Sequence, residues 1–484
     1  MVDQSQRPAL VLTVLSAAAF MASLDVFIVN VAFHDIGADF AGTTLSQLSW
    51  VLNGYAIVYA AVLVPAGRVA DRYGRKGGFL LGLGVFTLAS AACAAADGIW
   101  WLVAFRVVQA LGAALLTPAS LGLVVASMPA AQRARAVRTW AATGALAAAL
   151  GPAVGGVLVE ASWRWVFLVN VPIGVVALAA AARWVPRSRD TAASRLPDVL
   201  GAVLLAGAVA ALALGLVEGP DWGWADGRTV MAWVVAAVGL GWFAQRTARH
   251  PVPVVEPALL RVRALGWANA ASLLFAVPFA AALLTRILWL QQVWDYSAIR
   301  TGFAVAPGPL VVPLFAAVAH RLTRRVAVGV VVAVGCGLVA LGTVVMVLSI
   351  GPHPDYVGAM LPGWLIGGAG VGLALPAMLS SATADLPASR AATGSAVVNM
   401  NRQIGTALGV SLVVALLGAP VGYAAVHDAF TRAWWVFAAV AVVAGLAALG
   451  MSPRRAAPPP EASTSVPAAA GTATAVRDAA REPA

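Results

Sequence analysis

Long apolar segments separated by short polar connections dominate the chain. Between residues 9 and 450, runs of about 20 apolar residues recur and carry few charges. Roughly 20 such residues cross the hydrocarbon core of a bilayer as an α-helix. Lipid offers no hydrogen-bond partner to an open strand, and the alternating pattern of an outer-membrane barrel is absent. The pattern therefore predicts an all-α membrane protein.

Fourteen spans are predicted, and an even number places both termini on the same side of the membrane. They cover residues 9–33, 46–66, 78–96, 99–127, 137–160, 164–184, 196–217, 228–246, 266–292, 300–320, 326–350, 356–379, 392–417 and 431–450. Residues 451–484 are rich in Pro, Ala and Thr without apolar periodicity, which predicts a disordered tail. The widest interior connection, 246–265, contains three prolines and indicates a join between two helical bundles.

The overall composition agrees with a membrane protein. Hydrophobic residues make up 61% of the chain and charged residues 11%, and the mean hydropathy is +0.87. In a soluble protein a net charge of +11 would suggest nucleic acid as a partner. Here the positive charge lies in the connections, so no nucleic-acid partner is predicted. Cys93 and Cys336 lie inside apolar runs and predict neither a disulfide nor a metal site.

The distribution of basic residues predicts the orientation. Of 31 Lys and Arg residues, 24 lie in the termini and in one alternate set of connections. The opposite set contains four, namely Arg164, Arg228, Arg300 and Arg432. The positive-inside rule then places both termini in the cytoplasm. Tryptophans such as Trp100 and Trp163 lie near the predicted outer ends, as in an interfacial aromatic belt.

One carboxylate and three arginines remain inside the predicted spans: Asp25, Arg106, Arg286 and Arg402. Such residues are costly in a bilayer and are functional candidates by default. At 1.5 Å per residue, Asp25 lies ~12 Å below the outer surface and Arg106 ~10 Å. The two opposite charges can therefore pair across one cavity. A proton-carrying site and a structural ion pair both fit this pattern.

The other two arginines admit two interpretations each. Arg286 lies ~9 Å from the outer end of span 9. We expect its side chain to snorkel to the interface, with a substrate or anion contact as the second interpretation. Arg402 lies midway along span 13, beside Asn399, Asn401 and Gln403. This polar cluster predicts a surface facing a cavity, with interhelical hydrogen bonding as the alternative.

Two glycine-rich motifs lie within spans. In GPAVGG, residues 151–156, the three glycines allow close backbone approach and Pro152 can kink the helix, so the motif indicates a hinge or a packing seam. GGAGVG, residues 367–372, follows no strand, so it does not predict dinucleotide binding. A Walker A motif is absent, which argues against ATP-driven transport by this chain.

A short charged connection, GRVADRYGRKGG at residues 67–78, follows span 2. Its charges are Arg68, Asp71, Arg72, Arg75 and Lys76. The shortness of the connection makes spans 2 and 3 neighbours, and Gly67 and Gly74 permit tight turns. Asp71 is its only acid. We hypothesise that Asp71 pairs across the bundle interface and locks the cytoplasmic side in one state.

Several motifs resemble the major facilitator superfamily, in its fourteen-span drug:proton antiporter branch. GRVADRYGRKGGFL at residues 67–80 is similar to the superfamily signature between spans 2 and 3. LDVFIVNVA at 24–32 is similar to the branch pattern LDxTIVNVA, and LVAFRVVQALGAA at 102–114 to the span 4 motif. Residues 151–156 resemble the antiporter motif GPxxGG, and WRWVFLVNVPIG at 163–174 is also typical. The resemblance covers residues 1–450.

This resemblance implies a major facilitator fold with two six-helix bundles, spans 1–6 and 9–14, and two inserted helices. It implies alternating access around a central cavity, with Asp25 and Arg106 in proton coupling. The cytoplasmic gate would comprise Gly67, Asp71, Arg72, Gly74, Arg75 and Lys76. The antiporter hinge in span 5 would comprise Gly151, Pro152, Gly155 and Gly156, and would favour exchange over leak.

The sequence departs from the family pattern at a few positions. Phe27 replaces a threonine in span 1, His34 replaces a proline, and Ala110 replaces a glycine. Phe27 and Arg286 could reshape the cavity toward a bulkier or less cationic compound. Candidate cavity residues are polar or aromatic at middle or outer depth: Phe27, Asn30, Asn53, Tyr55, Trp289, Gln292, Asn399 and Arg402.

We predict proton-coupled export of hydrophobic or amphipathic small molecules across the bacterial cytoplasmic (inner) membrane. The proton gradient replaces any cofactor, the partners are the substrate, protons and the lipid bilayer, and the chain is a monomer and not an enzyme. The predicted domains are 1–190 (N-terminal bundle), 191–247 (inserted helices), 248–265 (linker), 266–450 (C-terminal bundle) and 451–484 (tail). A symporter or facilitator on the same fold is the alternative, against which GPAVGG argues. A receptor would need a large soluble sensor domain.

Overall fold

Within the described residues, fourteen helical segments are long and apolar enough to span a membrane, which confirms the predicted number. The computed structural model describes residues 8–189, 198–260, 262–384 and 388–451, and these residues are helical without strands. The predicted disordered tail therefore lies outside the described residues, apart from Met451. Predicted and observed ends mostly agree within a few residues. The fifth span is longer than predicted, because its helix begins at Ala130 and includes Arg133, Arg135 and Arg138.

The helices follow one another with short connections. They are α1 (Pro8–Val31), α2 (Phe33–Asp39), α3 (Leu45–Tyr73), α4 (Arg75–Ala94), α5 (Ile99–Ser127), α6 (Ala130–Ala161), α7 (Trp165–Leu168), α8 (Asn170–Trp184), α9 (Val199–Trp222), α10 (Gly227–Arg249), α11 (Pro257–Leu260), α12 (Arg263–Gln292), α13 (Ala298–Val305), α14 (Pro307–Leu322), α15 (Val328–Ser349), α16 (Leu361–Ala384), α17 (Ala388–Leu417) and α18 (Tyr423–Leu449). The sixth span combines α7 with α8, and the tenth combines α13 with α14. A π-helical turn, Tyr356–Met360, leads into α16.

We call the end of the bundle with the α3–α4 junction the basic end, and we call the other end the opposite end. The structure corrects the predicted loop at residues 67–78, because α3 continues to Tyr73 and α4 begins at Arg75. Gly74 alone joins them, with φ of 122°, a conformation that favours glycine. Gly67 is helical instead, and its missing side chain lets α3 approach Pro118 of α5.

Local sequence signals fix several helix starts. Thr44 caps α3: its hydroxyl accepts from the backbone N–H of Gln47, whose side chain accepts from the N–H of Thr44. This reciprocal capping box satisfies two otherwise orphaned donors. Asp198 caps α9 and also pairs with Arg246 of α10 at 2.7 Å, which ties the inserted helices together. Asp226 caps α10.

Small residues let α4 and α5 cross with their backbones in contact. A Cβ atom at Gly82 would lie 2.7 Å from the backbone N of Leu116, and one at Gly112 would lie 2.6 Å from the backbone N of Phe86. Neither backbone atom can move without moving its helix. Close approach of this kind is how helices associate in lipid, where no hydrophobic force drives them together.

We expect Gly82→Ala to destabilise the protein by about 1–3 kcal/mol, the usual cost of overpacking. Gly84→Ala is the matched control on α4, since a Cβ atom there meets nothing within 4 Å. Thermal unfolding of the purified protein in detergent measures both variants. Equal melting temperatures for the two variants would contradict the backbone contact as a source of stability.

Apolar packing joins the two six-helix halves most extensively at the opposite end. One buried cluster there contains residues of both halves, such as Ile28 and Phe167 from the first half and Trp289 and Phe430 from the second. At the basic end the first and second halves have separate clusters, one within α1–α8 and one within α12–α18. A further cluster connects α3, α9 and α17 along one side. The halves are thus sealed together at the opposite end, and α3 and α17 also hold them together along one side.

Aromatic residues at the opposite end divide into two groups. Trp100, Trp101, Trp165 and Trp224 are exposed, as expected of an interfacial belt. Trp163 is buried, which corrects its assignment to the belt: its ring packs against Phe40 and Phe167. Its indole N–H and Arg164 both donate to Asp39, and these two hydrogen bonds lower the pKa of that carboxyl.

Candidate functional site

A buried ion pair between α1 and α5 lies at the centre of the N-terminal half. Asp25 is 0% exposed and Arg106 is 1% exposed, and Nη1 of Arg106 donates to Oδ2 of Asp25 at 2.5 Å. The depth estimates from the sequence placed these two residues at one level, and the structure brings them into contact. In the described part of the chain, this is the one ion pair with both side chains fully enclosed.

The Asp25 carboxylate accepts three hydrogen bonds. Besides the Arg106 contact, its Oδ1 accepts from the side-chain amides of Gln109 at 2.8 Å and Asn170 at 2.9 Å. Gln109 lies one helical turn from Arg106 on α5, and Asn170 begins α8. Three donors facing one carboxylate complement its ionised form, which only accepts.

The Arg106 guanidinium is held from several directions. Its Nε donates to the carbonyl of Val51 on α3 at 3.2 Å, and Nη1 also donates to Oε1 of Gln109 at 2.6 Å. The Tyr55 ring lies against the guanidinium, with 4.2 Å between Cζ and the ring centroid. Cation–π contact of this kind is strongest where water is excluded. The pair therefore joins α1, α3 and α5 in one arrangement.

Gln109, Asn170 and Ser90 complete this network, and sequence reasoning assigned none of them a role. The amide of Gln109 donates to the Ser90 hydroxyl at 2.8 Å, and the Cys93 thiol lies near Gln109. These residues lie up to 145 positions from Asp25 along the chain. Each is a polar residue in an apolar span, and such residues can be selected from the sequence as functional candidates. Only the helix packing shows that they share one partner.

A line of side chains leads from this network toward the C-terminal half. The Tyr55 and Tyr59 rings stack with centroids 6.0 Å apart. Tyr59 lies within electrostatic range of Arg402 on α17. Arg402 in turn donates to Oδ1 of Asn399 at 3.3 Å, and both side chains are half-buried. Asn53 is buried and donates to the Ser411 hydroxyl at 3.0 Å, which joins α3 directly to α17.

The remaining candidate cavity residues are more dispersed. Phe27 is half-buried against Gly151, and the Asn30 amide donates to the Val26 carbonyl at 2.9 Å within α1. Trp289 is fully buried among Phe430, Trp434 and His427 of α18, so its ring packs inside the C-terminal half. Gln292 is exposed at the last position of α12. The assignment of these four residues to one cavity stays a prediction.

Arg286 does not snorkel, which corrects the first interpretation of this residue. Its side chain is 2% exposed, and its guanidinium lies over the Trp364 ring at 4.4 Å from the centroid. Nη1 donates to the Ala282 carbonyl at 2.8 Å, whereas buried Nε has no hydrogen-bond partner among the described residues. Trp364, on which the guanidinium lies, is itself packed against Gly308 of α14 and donates to Val305 of α13.

The GPAVGG segment forms a packing seam between helices. A Cβ atom at Gly151 would lie 2.7 Å from Cβ of Phe27, and one at Gly155 would lie 2.9 Å from Ile28, both on α1. Gly156 faces α13 instead: a Cβ atom there would lie 2.5 Å from the Ala298 carbonyl oxygen. The helix α6 runs through Pro152 to Ala161. Its predicted role as a hinge stays a prediction.

The charged residues at the α3–α4 junction contact one another and the neighbouring end of α8 with the connection that follows it. Nε of Arg75 donates to Oδ1 of Asp71 at 2.6 Å, one helical turn away, and the Arg75 backbone N–H donates to the Ser188 carbonyl at 2.8 Å. The hypothesis that Asp71 pairs across the bundle interface is therefore corrected for this conformation: its ion pair among the described residues is internal to the junction. Nζ of Lys76 donates to the Ala182 carbonyl at 2.8 Å.

Among the junction residues, Arg68 contacts the residues that are furthest from it in sequence. It donates to the Pro253 carbonyl at 2.7 Å and pairs with Glu256 at 3.2 Å, both in the connection before α12. Arg72 stacks on the neighbouring Tyr73 ring, and its carbonyl accepts from Nε of Arg189 at 2.6 Å. These contacts fasten the end of α3 to two connections at the basic end.

We expect Asp71→Asn to lower transport by more than about tenfold, a change that corresponds to a coupling free energy in the usual 1–3 kcal/mol range. Loss of the carboxylate leaves Arg75 without its ion-pair partner. A partly exposed pair of this kind contributes little to folding, so insertion and expression should stay normal. Asp97→Asn, at an exposed acid in the α4–α5 connection, is the matched control in the same transport assay. Normal transport by the Asp71 variant would show that the charges of the junction serve only to orient the protein in the membrane.

An open cavity of about 520 Å³ lies at the opposite end, between α3, α9 and the start of α5. Its lining includes Trp50, Trp100, Trp222, Glu218 and Asp221. Glu218 accepts a hydrogen bond from the Ser46 hydroxyl. The cavity lies apart from the Asp25–Arg106 network, since it shares no residue with that network.

Comparison with known proteins gives a consistent result. Residues 15–410 match the family described as the Major Facilitator Superfamily. The chain is 34% identical over 429 residues to the methylenomycin A resistance protein of Streptomyces coelicolor, covering 87% of this chain and 89% of that protein. It is 34% identical over 404 residues to the multidrug resistance protein Stp of Mycobacterium tuberculosis, covering 83% and 74%.

The fold also matches solved structures. A POT family transporter in complex with 5-aminolevulinic acid aligns with a TM-score of 0.66 and 16% identity, over 90% of this chain and 94% of that one. At this identity the likeness establishes the shared fold alone.

Proposed function

The chain belongs to the major facilitator superfamily, a transporter family, and we propose that it exports hydrophobic or amphipathic small molecules in exchange for protons. Relatives at 34% identity are a methylenomycin A resistance protein and a multidrug resistance protein, and resistance is the expected outcome of export. We place the protein in the bacterial cytoplasmic membrane as a monomer. The excess of basic residues at one end supports placing both termini in the cytoplasm.

The enclosed pair of Asp25 and Arg106 carries this proposal. Protonation of Asp25 removes its negative charge and places an O–H on one of its oxygens, so the carboxyl no longer complements three donors of which one is charged. Proton uptake would therefore release Arg106 or one of the amides of Gln109 and Asn170. Since Arg106 lies on α5 and Asp25 on α1, its release would loosen the contact between these two helices. Protonation would thus act directly on helix packing.

The distribution of apolar packing supports a conformation that loads from the basic end. The cluster at the opposite end contains both halves, whereas the largest clusters at the basic end belong to one half each. Alternating access requires these contacts to exchange, so that the opposite end opens as the basic end closes. With the basic end in the cytoplasm, substrate enters from the cytoplasm and leaves on the outside.

Everted membrane vesicles test this proposal. When respiration acidifies the interior of vesicles that contain the protein, we expect accumulation of a fluorescent amphipathic compound, such as ethidium. Collapse of the pH gradient with nigericin should release it, and addition of the compound should accelerate proton loss from the vesicles. Vesicles without the protein are the control. Accumulation that is driven only in right-side-out vesicles would favour the symporter alternative instead.

A further inference from the structure

Arg286 is a buried cation without a carboxylate partner among the described residues. Among the described residues, Arg106 has Asp25 as a partner, whereas no carboxylate lies within 4 Å of Arg286. Its one hydrogen bond among those residues is to the Ala282 carbonyl of its own helix. Arginine stays protonated in proteins, so burial does not remove the charge. An unpaired charge in this position is costly and calls for an anion.

The Trp364 side chain beside Arg286 is held in a fixed position. Its indole N–H donates to the Val305 carbonyl at 2.8 Å. Its ring fills the space left by the missing side chain of Gly308, where a Cβ atom would lie 2.3 Å from the indole. The guanidinium stacks on this ring, so its planar set of donors has a defined direction. A guanidinium fixed in this way is suited to bind a carboxylate through two parallel hydrogen bonds.

We propose that Arg286 and Trp364 form a subsite for the acidic group of an amphipathic, aromatic anion, an inference that rests on the proposed export function. The unpartnered Nε supplies a donor for the acid, and the indole with the apolar cluster around α12 accommodates the ring system. The guanidinium is enclosed while the opposite end is sealed. Because Arg286 is 2% exposed in this conformation, binding of the acid requires a conformation in which its donors are reachable.

Dye binding to the purified, full-length protein in detergent tests the subsite. Fluorescein, an aromatic carboxylate, is compared with ethidium, an aromatic cation of similar size, by fluorescence anisotropy. We expect Arg286→Gln to weaken fluorescein binding by roughly tenfold or more, the loss typical of one charge-assisted hydrogen bond. Ethidium binding should stay within about twofold. Arg432→Gln, at an exposed arginine of α18, is the matched control and should bind both dyes as the unchanged protein does.

Two results would overturn the inference: equal fluorescein affinity in Arg286→Gln and the unchanged protein, or equal losses for both dyes. Should the glutamine variant fail to fold, Arg286→Lys keeps the charge but loses the planar fork, and we expect a smaller selective loss of fluorescein binding. Benzoate should displace fluorescein from the unchanged protein, and its failure to do so would count against the subsite. The binding assay needs no proton gradient. Failure of gradient-driven transport with selective fluorescein binding intact would therefore reject the proposed export and not the subsite.

Discussion

Replacing Asp25 with asparagine should abolish proton-driven accumulation in everted vesicles, a loss of at least about a hundredfold. The amide cannot exchange a proton, and its NH₂ group would face the donors of Arg106, Gln109 and Asn170. At the same time, exchange of labelled for unlabelled substrate without a pH gradient should persist, because exchange needs no net change in protonation. The combination of lost accumulation and retained exchange identifies Asp25 as the coupling residue.

Stability must be measured alongside transport for this variant. Removal of one partner from a buried ion pair costs about 3–5 kcal/mol, because the other charge is left without compensation. Asp25→Glu retains a titratable acid and should keep part of the pH-dependent accumulation. Asp39→Asn is the matched control, since Asp39 pairs with Arg164 near the surface at the opposite end and lies outside the network. Accumulation by Asp25→Asn that still depends on pH would reject the coupling role.

A methyl group added at Gly156 should produce the second large effect. Its Cβ atom would lie 2.5 Å from the Ala298 carbonyl oxygen and 2.8 Å from Cα of Ile299, and both belong to the backbone of α13. From the other side, a Cβ atom at Gly302 would lie 2.2 Å from the Pro152 carbonyl oxygen. Because α6 and α13 belong to different halves, Gly156→Ala should force the halves apart at the opposite end. We expect transport to fall by at least about tenfold, equivalent to roughly 1.4 kcal/mol.

Maleimide labelling separates this effect from simple unfolding. Gln291 is buried, and its amide donates to the Val31 carbonyl across the two halves at 3.2 Å. A cysteine introduced at Gln291 should react faster with a water-soluble maleimide when Gly156→Ala is also present. Gly144→Ala is the matched control on α6, since a Cβ atom there would be 3.8 Å from Ser23. Unchanged labelling and transport in the Gly156 variant would show that the seam accommodates the methyl group without separation of the halves.

The features that depend on one segment at a time could be predicted from the sequence. Span number follows from apolar run length, and the common depth of Asp25 and Arg106 follows from helical rise. Gln109 and Asn170 could not be assigned, because their role depends on which helix faces reach Asp25. The prediction for Arg286 was wrong for a related reason: snorkelling assumes a side chain that faces lipid, whereas Arg286 is buried against Trp364 of another helix.

The α3–α4 junction shows the limit of composition as a guide to loops. Five charges in twelve residues suggested a connection exposed to water, yet all but one of residues 67–78 belong to helices. Basic side chains near helix ends donate to backbone carbonyls of neighbouring segments, as Arg68 and Lys76 do. The dense charges therefore indicated where two spans meet, but not that both helices continue through the charged residues. Gly74 was the one residue whose conformation the turn required.

Both cysteines of the chain, Cys93 and Cys336, are fully buried and free. A thiol that solvent cannot reach does not react with a water-soluble maleimide, so the native chain already provides a background without reactive cysteines. Two dyes attached through cysteines introduced on the two halves at the basic end would report the distance between them by single-molecule energy transfer. The opening and closing of individual transporters could then be followed in a protein that keeps every native core residue.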